Sequence, residues 1–139
     1  MKKILFFLLI VVLALSLCAC TKDTTVKGQE LVSPKDVVKV TVSHFPESDV
    51  YARVYTNPDK IRSVTDYIGN LTLDSNFPEN PDEYVGGGWD ITYTLQDGTE
   101  ITLHHSCNRF FRVGNGPWYR MVYEEASAFS KLIYANPSD

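Results

Sequence analysis

Four consecutive residues, His104-His105-Ser106-Cys107, hold most of the ligand and nucleophile chemistry in this 139-residue chain. Imidazole nitrogen and thiolate sulfur are donors that zinc prefers. Alternate side chains of a strand share a face, so His105 and Cys107 would point together, and His104 away, if the strand runs that far. Two donors fall short of the three or four that zinc takes, and the only other histidine, His44, lies far upstream. The same pair could act as base and nucleophile, but a reactive thiolate needs an orienting third group and a cation or helix N-terminus behind it. The local sequence supplies neither. His105 and Cys107 are therefore weak metal candidates. The competing reading is a strand end with half-exposed histidines and a cysteine packed as a small apolar residue. No cofactor is expected.

Two further patterns invite chemistry. Gly86-Gly87-Gly88 has the composition of a phosphate loop, but it precedes a strand and no Lys-Ser/Thr pair follows. Phosphate loops need the reverse order, strand then helix N-terminus. A flexible approach to the strand, or a bulge, is expected. Asp74, Glu79, Asp82 and Glu83 lie in one stretch without EF-hand spacing. A solvated acidic loop is expected there, with weak calcium binding as the alternative.

The densest contact chemistry is aromatic and cationic. Phe110, Phe111, Trp118, Tyr119 and Tyr123 crowd one stretch, with Arg109, Arg112 and Arg120 between them. Such residues anchor interfaces and stack on flat partners. Strand alternation puts Phe111 and Val113 on one face and Phe110 and Arg112 on the other. Phe110, Arg112, Trp118, Tyr119 and Arg120 are the expected partner-binding residues, on a sheet face left open. Core packing, with arginine stems covering apolar edges, is the alternative.

The chain opens MKKILFFLLIVVLALSLCAC. A basic pair followed by an unbroken apolar run too short to span a bilayer comfortably is the layout of a secretory signal. The residues after it, Leu17-Cys18-Ala19-Cys20, resemble the lipobox of bacterial lipoproteins. That resemblance implies cleavage by signal peptidase II before Cys20 and a diacylglycerol on its sulfur. Residues 1–19 would then be a lipoprotein signal peptide, and the lipid would hold the protein at the extracytoplasmic face of the cell membrane. Cys18 would leave with the signal and Cys20 would carry lipid, so Cys107 would be the single thiol and no internal disulfide could form. Removing Lys2 and Lys3 would take Lys+Arg from 13 to 11 against 17 acids, a formal charge of −6. That balance argues against nucleic acid as a partner.

These residues must be positioned by a scaffold, and the remaining pattern describes one. Thr21 to Ser33 is polar and aperiodic, so residues 20–33 read as a lipidated flexible tether, reaching at most about 45 Å, with an N-terminal edge strand around Leu31 as the alternative. Residues 34–139 read as a single domain. DVVKVTVSHF alternates, with Val38, Val40 and Val42 on one face, and VYARVYT over 50–56 follows as a second strand. Asn57-Pro58-Asp59 starts a helix whose stripe is Ile61, Val64, Ile68 and Leu71. A long loop spans 73–88. WDITYTL, the Asp97-Gly98 turn and TEITLHH form a hairpin. RFFRV, Gly114-Asn115-Gly116 and PWYRMV form the next. A last helix carries Val122, Ala126, Phe129 and Ile133 on one stripe, and Asn136-Pro137 stops it. The order β-β-α-β-β-β-β-α predicts an α+β fold, an antiparallel meander sheet with two helices packed on one face. This order resembles small uncharacterised lipoprotein domains of Gram-positive bacteria.

The expectation is a non-catalytic, membrane-anchored binding or accessory module, monomeric, that contacts an envelope protein or cell-wall polymer. The alternative is a small metal- or ligand-dependent enzyme using His105 and Cys107.

Overall fold

The computed structural model describes residues 24–46 and 52–139. The expected signal peptide, Cys20 and the first residues of the strand expected over 50–56 lie outside the described residues. Among the described residues, eight strands form one antiparallel sheet, in the order β1-β4-β8-β7-β6-β5-β2-β3. They are β1 (Thr25–Lys27), β2 (Val37–Phe45), β3 (Arg53–Tyr55), β4 (Thr72–Asp74), β5 (Gly88–Leu95), β6 (Glu100–Ser106), β7 (Phe110–Val113) and β8 (Tyr119–Met121). Helices α1 (Gly28–Leu31), α2 (Pro58–Asn70) and α3 (Tyr123–Ala135) complete an α+β fold.

Strands β5 to β8 are the expected meander, and their turns follow the local chemistry. Gly98 adopts a positive φ in the turn after β5, which a residue without Cβ takes at little cost. Helix α2 starts where Asn57 accepts the amides of Asp59 and Lys60 and Pro58 presets the first turn. Its buried stripe is Ile61, Val64 and Ile68, and that of α3 is Ala126, Phe129 and Ile133. Both pack with Val40, Val42, Ile91, Tyr93, Leu103 and Phe111 into one core. Val122 lies outside the stripe: it caps α3 and is exposed.

Three local differences from the sequence pattern have physical causes. A register shift between Val37 and Lys39 where β2 meets β5 reverses the alternation at the start of β2, as a bulge does. Val38 is therefore exposed while Val37 packs on the core. Residues 72–74, at the start of the expected loop, form β4, because Leu73 pairs with Met121 on one side and Val26 on the other. The flexible tether expected over residues 20–33 is folded from Thr24 onward. Val26 enters the sheet beside Leu73, and the buried Gly28 donates its amide to the Leu71 carbonyl at 2.9 Å. The folded unit thus begins about ten residues before the expected boundary at Pro34.

At the far edge the chain seals β3. The Asp139 amide donates to the Val54 carbonyl, and the Ser138 hydroxyl accepts the Val54 amide. The Asp139 carboxylate accepts the amides of Thr56 and Asn57 and pairs with Lys60 at 2.8 Å. Those donors, the Lys60 ammonium first, hold its pKa far below the ordinary carboxylate value. Unpaired strand edges template aggregation, and covering one is a common remedy.

Candidate functional site

The helices cover one sheet face. On the opposite face the register aligns two cross-strand rows near the β7 end. One runs Phe45, Gly88, Ser106, Phe110, Arg120, Asp74; the next runs Ser43, Asp90, His104, Arg112. Phe110 is fully buried although it lies on the helix-free side. Its cover is the long loop. Phe77 approaches its ring at 5.7 Å and Tyr84 at 4.9 Å, and Trp118 adds an edge contact at 6.5 Å. The loop and the second hairpin therefore form a small second apolar cluster.

Three of the loop's acids tie it to the second hairpin. Glu79 binds Arg109 at 2.7 Å, Asp74 binds Arg120 at 2.9 Å, and Asp82 accepts the Trp118 indole N–H at 3.4 Å. Glu83 accepts the Asn80 side-chain amide. The Arg109 hydrogen bond lowers the Glu79 pKa, while the Asn76 backbone amide, foremost, lowers that of Asp74. Asp74 and Glu79 are paired with arginines, which the expectation of a solvated acidic loop did not include, while Asp82 and Glu83 are solvent-exposed as expected.

The three glycines serve close packing. A Cβ on Gly86 would lie 2.7 Å from the Cys107 sulfur, one on Gly87 2.9 Å from the Phe45 carbonyl oxygen, and one on Gly88 2.4 Å from the His105 carbonyl oxygen. The Phe45 ring also lies over Gly88, where a Cβ would come within 2.7 Å of it. The flexible approach expected from the composition is a tight seam.

The five residues expected to bind a partner are placed in four different settings. Phe110 is core to the second cluster. Tyr119 stands opposite Phe111 on the helix side and packs on the main core. Arg120 is held by Asp74, with Glu79 at 3.9 Å. Arg112 and Trp118 remain at the surface rim, with the guanidinium 4.3 Å from the indole centroid. Among the described residues, no carboxylate lies within ion-pair distance of Arg112, and its Nε has no acceptor. Beside it His104 Nδ1 meets Asp90 at 2.7 Å. Two loop residues that pattern reasoning did not select, Tyr84 (42% exposed) and Val85 (fully exposed), extend the rim. An apolar pair inside an acidic, proline-rich stretch was the available signal.

His105 and Cys107 are not a ligand pair. Cys107 and Asn108 both have positive φ, and the Arg109 amide donates to the Ser106 carbonyl at 2.9 Å. The strand thus ends at Ser106 in a tight turn, and the alternation that would align the two residues stops. The Cys107 thiol lines an open cleft of about 360 Å³ with His44, Asn108 and Ser130. His105 is fully buried under α3, stacked on Phe129 at 5.2 Å, with Nε2 3.1 Å from the Tyr67 hydroxyl. That hydroxyl lies within hydrogen-bond reach of the Glu125 and Ala126 carbonyls. Burial lowers the His105 pKa to about 4, so the ring is neutral at physiological pH. Among the described residues no group of three His, Cys, Asp or Glu could hold a metal ion. No helix among the described residues is long and apolar enough to cross a membrane. No family model, curated protein or solved structure matches the chain.

Proposed function

We propose that the protein is a lipid-anchored module on the extracytoplasmic face of a cell membrane that contacts an envelope protein or a cell-wall polymer without catalysing a reaction. The observation that carries the contact surface is the Arg112–Trp118 stack. It presents a flat cation with no acid partner among the described residues, on the sheet face that no helix covers. A guanidinium held flat on an indole is preorganised for a planar or anionic partner, and rim aromatics with arginine are typical contact anchors. The anchoring half rests on Leu17-Cys18-Ala19-Cys20 and the apolar stretch before it.

The folded start at Thr24 shapes this proposal. Only four residue steps separate it from Cys20, so a lipid at Cys20 would hold the domain within about 14 Å of the membrane. The partner would then be met near the membrane surface rather than across a long tether.

A photo-crosslinking amino acid at position 112 or 118 tests the reading in intact cells. Discrete adducts are expected from both positions, and none from position 131, an exposed site on α3. Protease-sensitive adducts identify a protein partner, and adducts released by wall-digesting enzymes identify a polymer. Cys20→Ala should move the protein out of the mature membrane-bound fraction and abolish the adducts. Equal labelling from positions 112, 118 and 131, or a Cys20→Ala protein that still partitions with lipid, would defeat the proposal.

A further inference from the structure

A cavity of about 200 Å³ lies on the helix side, between α2 and the segment from α1 to Pro34. Its lining includes Gln29, Ser33, Thr65, Asp66, Asn70 and Tyr93. Tyr93 is 1% exposed, and its hydroxyl has no hydrogen-bond partner. Buried hydroxyls in folded proteins are nearly always paired, because an unpaired one has lost its water without compensation. Burial also pushes the Tyr93 pKa up, so the group remains a neutral O–H.

Size and charge narrow what fits. One water needs about 10–15 Å³ of such space, whereas drug-sized ligands occupy sites from about 300 Å³ upward. The cavity suits a molecule between the two. No lysine or arginine lines it, and Asp66 has no ion-pair partner among the described residues. The Asn70 side-chain N–H is already given to the Asp66 carbonyl at 2.8 Å, and the Thr65 O–H to the Arg62 carbonyl at 3.1 Å. What these side chains have left to offer is mostly acceptors: a carboxylate, an amide oxygen and hydroxyl lone pairs. The matching ligand is rich in donors and neutral or positively charged.

We infer that this cavity binds a small hydroxylated amine, with its ammonium at Asp66 and a hydroxyl at Tyr93. The site lies across the sheet from the Arg112–Trp118 surface and does not depend on that surface having a partner. One wall is the segment 28–34, so the ligand also fastens the start of the chain to α2.

Amide NMR of the purified full-length protein, titrated with glucosamine and separately with glucose, tests the inference. Glucosamine should produce saturable shifts confined to residues 29–34 and 65–70. Glucose, which keeps the hydroxyls and lacks the ammonium, should bind roughly tenfold more weakly, as expected for losing one charge-assisted contact. Asp66→Asn should erase that preference. Tyr93→Phe, which removes only the unpaired oxygen, should weaken both sugars by roughly tenfold while leaving the rest of the spectrum in place. Absence of saturable shifts with either sugar, shifts centred elsewhere, or a Tyr93→Phe protein that binds glucosamine as tightly as the parent would overturn it.

Discussion

Between pH 6.5 and pH 4 the domain is expected to lose about 3 kcal/mol of stability through one side chain, His105. Its pKa falls from an ordinary 6.5 to about 4 in the folded protein, with burial as the main cause. Each unit of pKa difference corresponds to about 1.4 kcal/mol. Because the unfolded chain binds the proton more tightly, stability is fully present above pH 6.5. It falls as pH drops toward 4 and levels off below. The structure explains the cost. The ring stacks on Phe129, meets only the Tyr67 hydroxyl at Nε2, and has no partner for Nδ1. An imidazolium there would have no carboxylate to pair with among its hydrogen-bond partners. Asp74, Glu79 and Asp139 also have lowered pKa values and also weaken the fold on acidification. Their protons are taken up at and below the ordinary carboxylate range, so the loss between pH 6.5 and 5 belongs to His105. Urea midpoints at pH 7.5, 6, 5 and 4.5 would trace it. His105→Phe keeps the aromatic stack and removes the titrating nitrogens, so its midpoint should be flat from pH 7.5 to 5. A parent protein that is equally stable at pH 7.5 and 5 would contradict this account.

The same histidine shows where pattern reasoning reaches and where it stops. Elements carried by local chemistry are legible: Asn57-Pro58 starts α2, Asp97-Gly98 turns β5 into β6, and the stripes of α2 and α3 mark the core. Facing is legible too, as far as a strand continues, and Phe111 is inside as alternation requires. What escapes is decided by partners distant in sequence. β1 and β4 have three residues each, too few to show a period, and become strands only by pairing with one another and β8. Phe110 looks open from its own strand, and it is the loop 30 or so residues upstream that buries it. The arginines look like a free cationic patch until Glu79 and Asp74 arrive from that same loop. Cys107 looks like a neighbour of His105 until the turn at positive φ removes it from the strand. Of the site read from sequence, Arg112 and Trp118 stay part-exposed at the rim, because no carboxylate among the described residues pairs with Arg112 and only Phe110 and Asp82 reach Trp118 from the side.

The start of the chain allows a sharper test of tertiary override, through Gly28→Ala. Gly28 is pressed against the end of α2, and an added Cβ would lie 1.9 Å from the Ile68 carbonyl oxygen and 2.9 Å from its carbon. Both atoms are backbone inside a helix and cannot swing aside. The least costly response is for β1 and α1 to leave their dock, which breaks the Gly28–Leu71 hydrogen bond and the β1–β4 pairing. Val26, Leu31 and Val32 would lose their partial burial, and at roughly 1 kcal/mol each the detachment costs about 3 kcal/mol. Hydrogen exchange should show lost protection over residues 24–34 with the β5–β8 meander still protected, and trypsin should cut after Lys27. The cavity above Tyr93 would lose one wall, so glucosamine binding should vanish in the same variant. Gly69→Ala is the matched control. Its Cβ would meet only the Gln29 side chain at 3.6 Å, an ordinary contact, and alanine favours the helix over glycine by about 1 kcal/mol. That variant should be at least as stable as the parent. If Gly28→Ala keeps full protection over 24–34, the close approach of Gly28 to Ile68 does not hold this segment in place; if the parent itself shows no protection there, residues 20–33 behave as the tether that their composition describes.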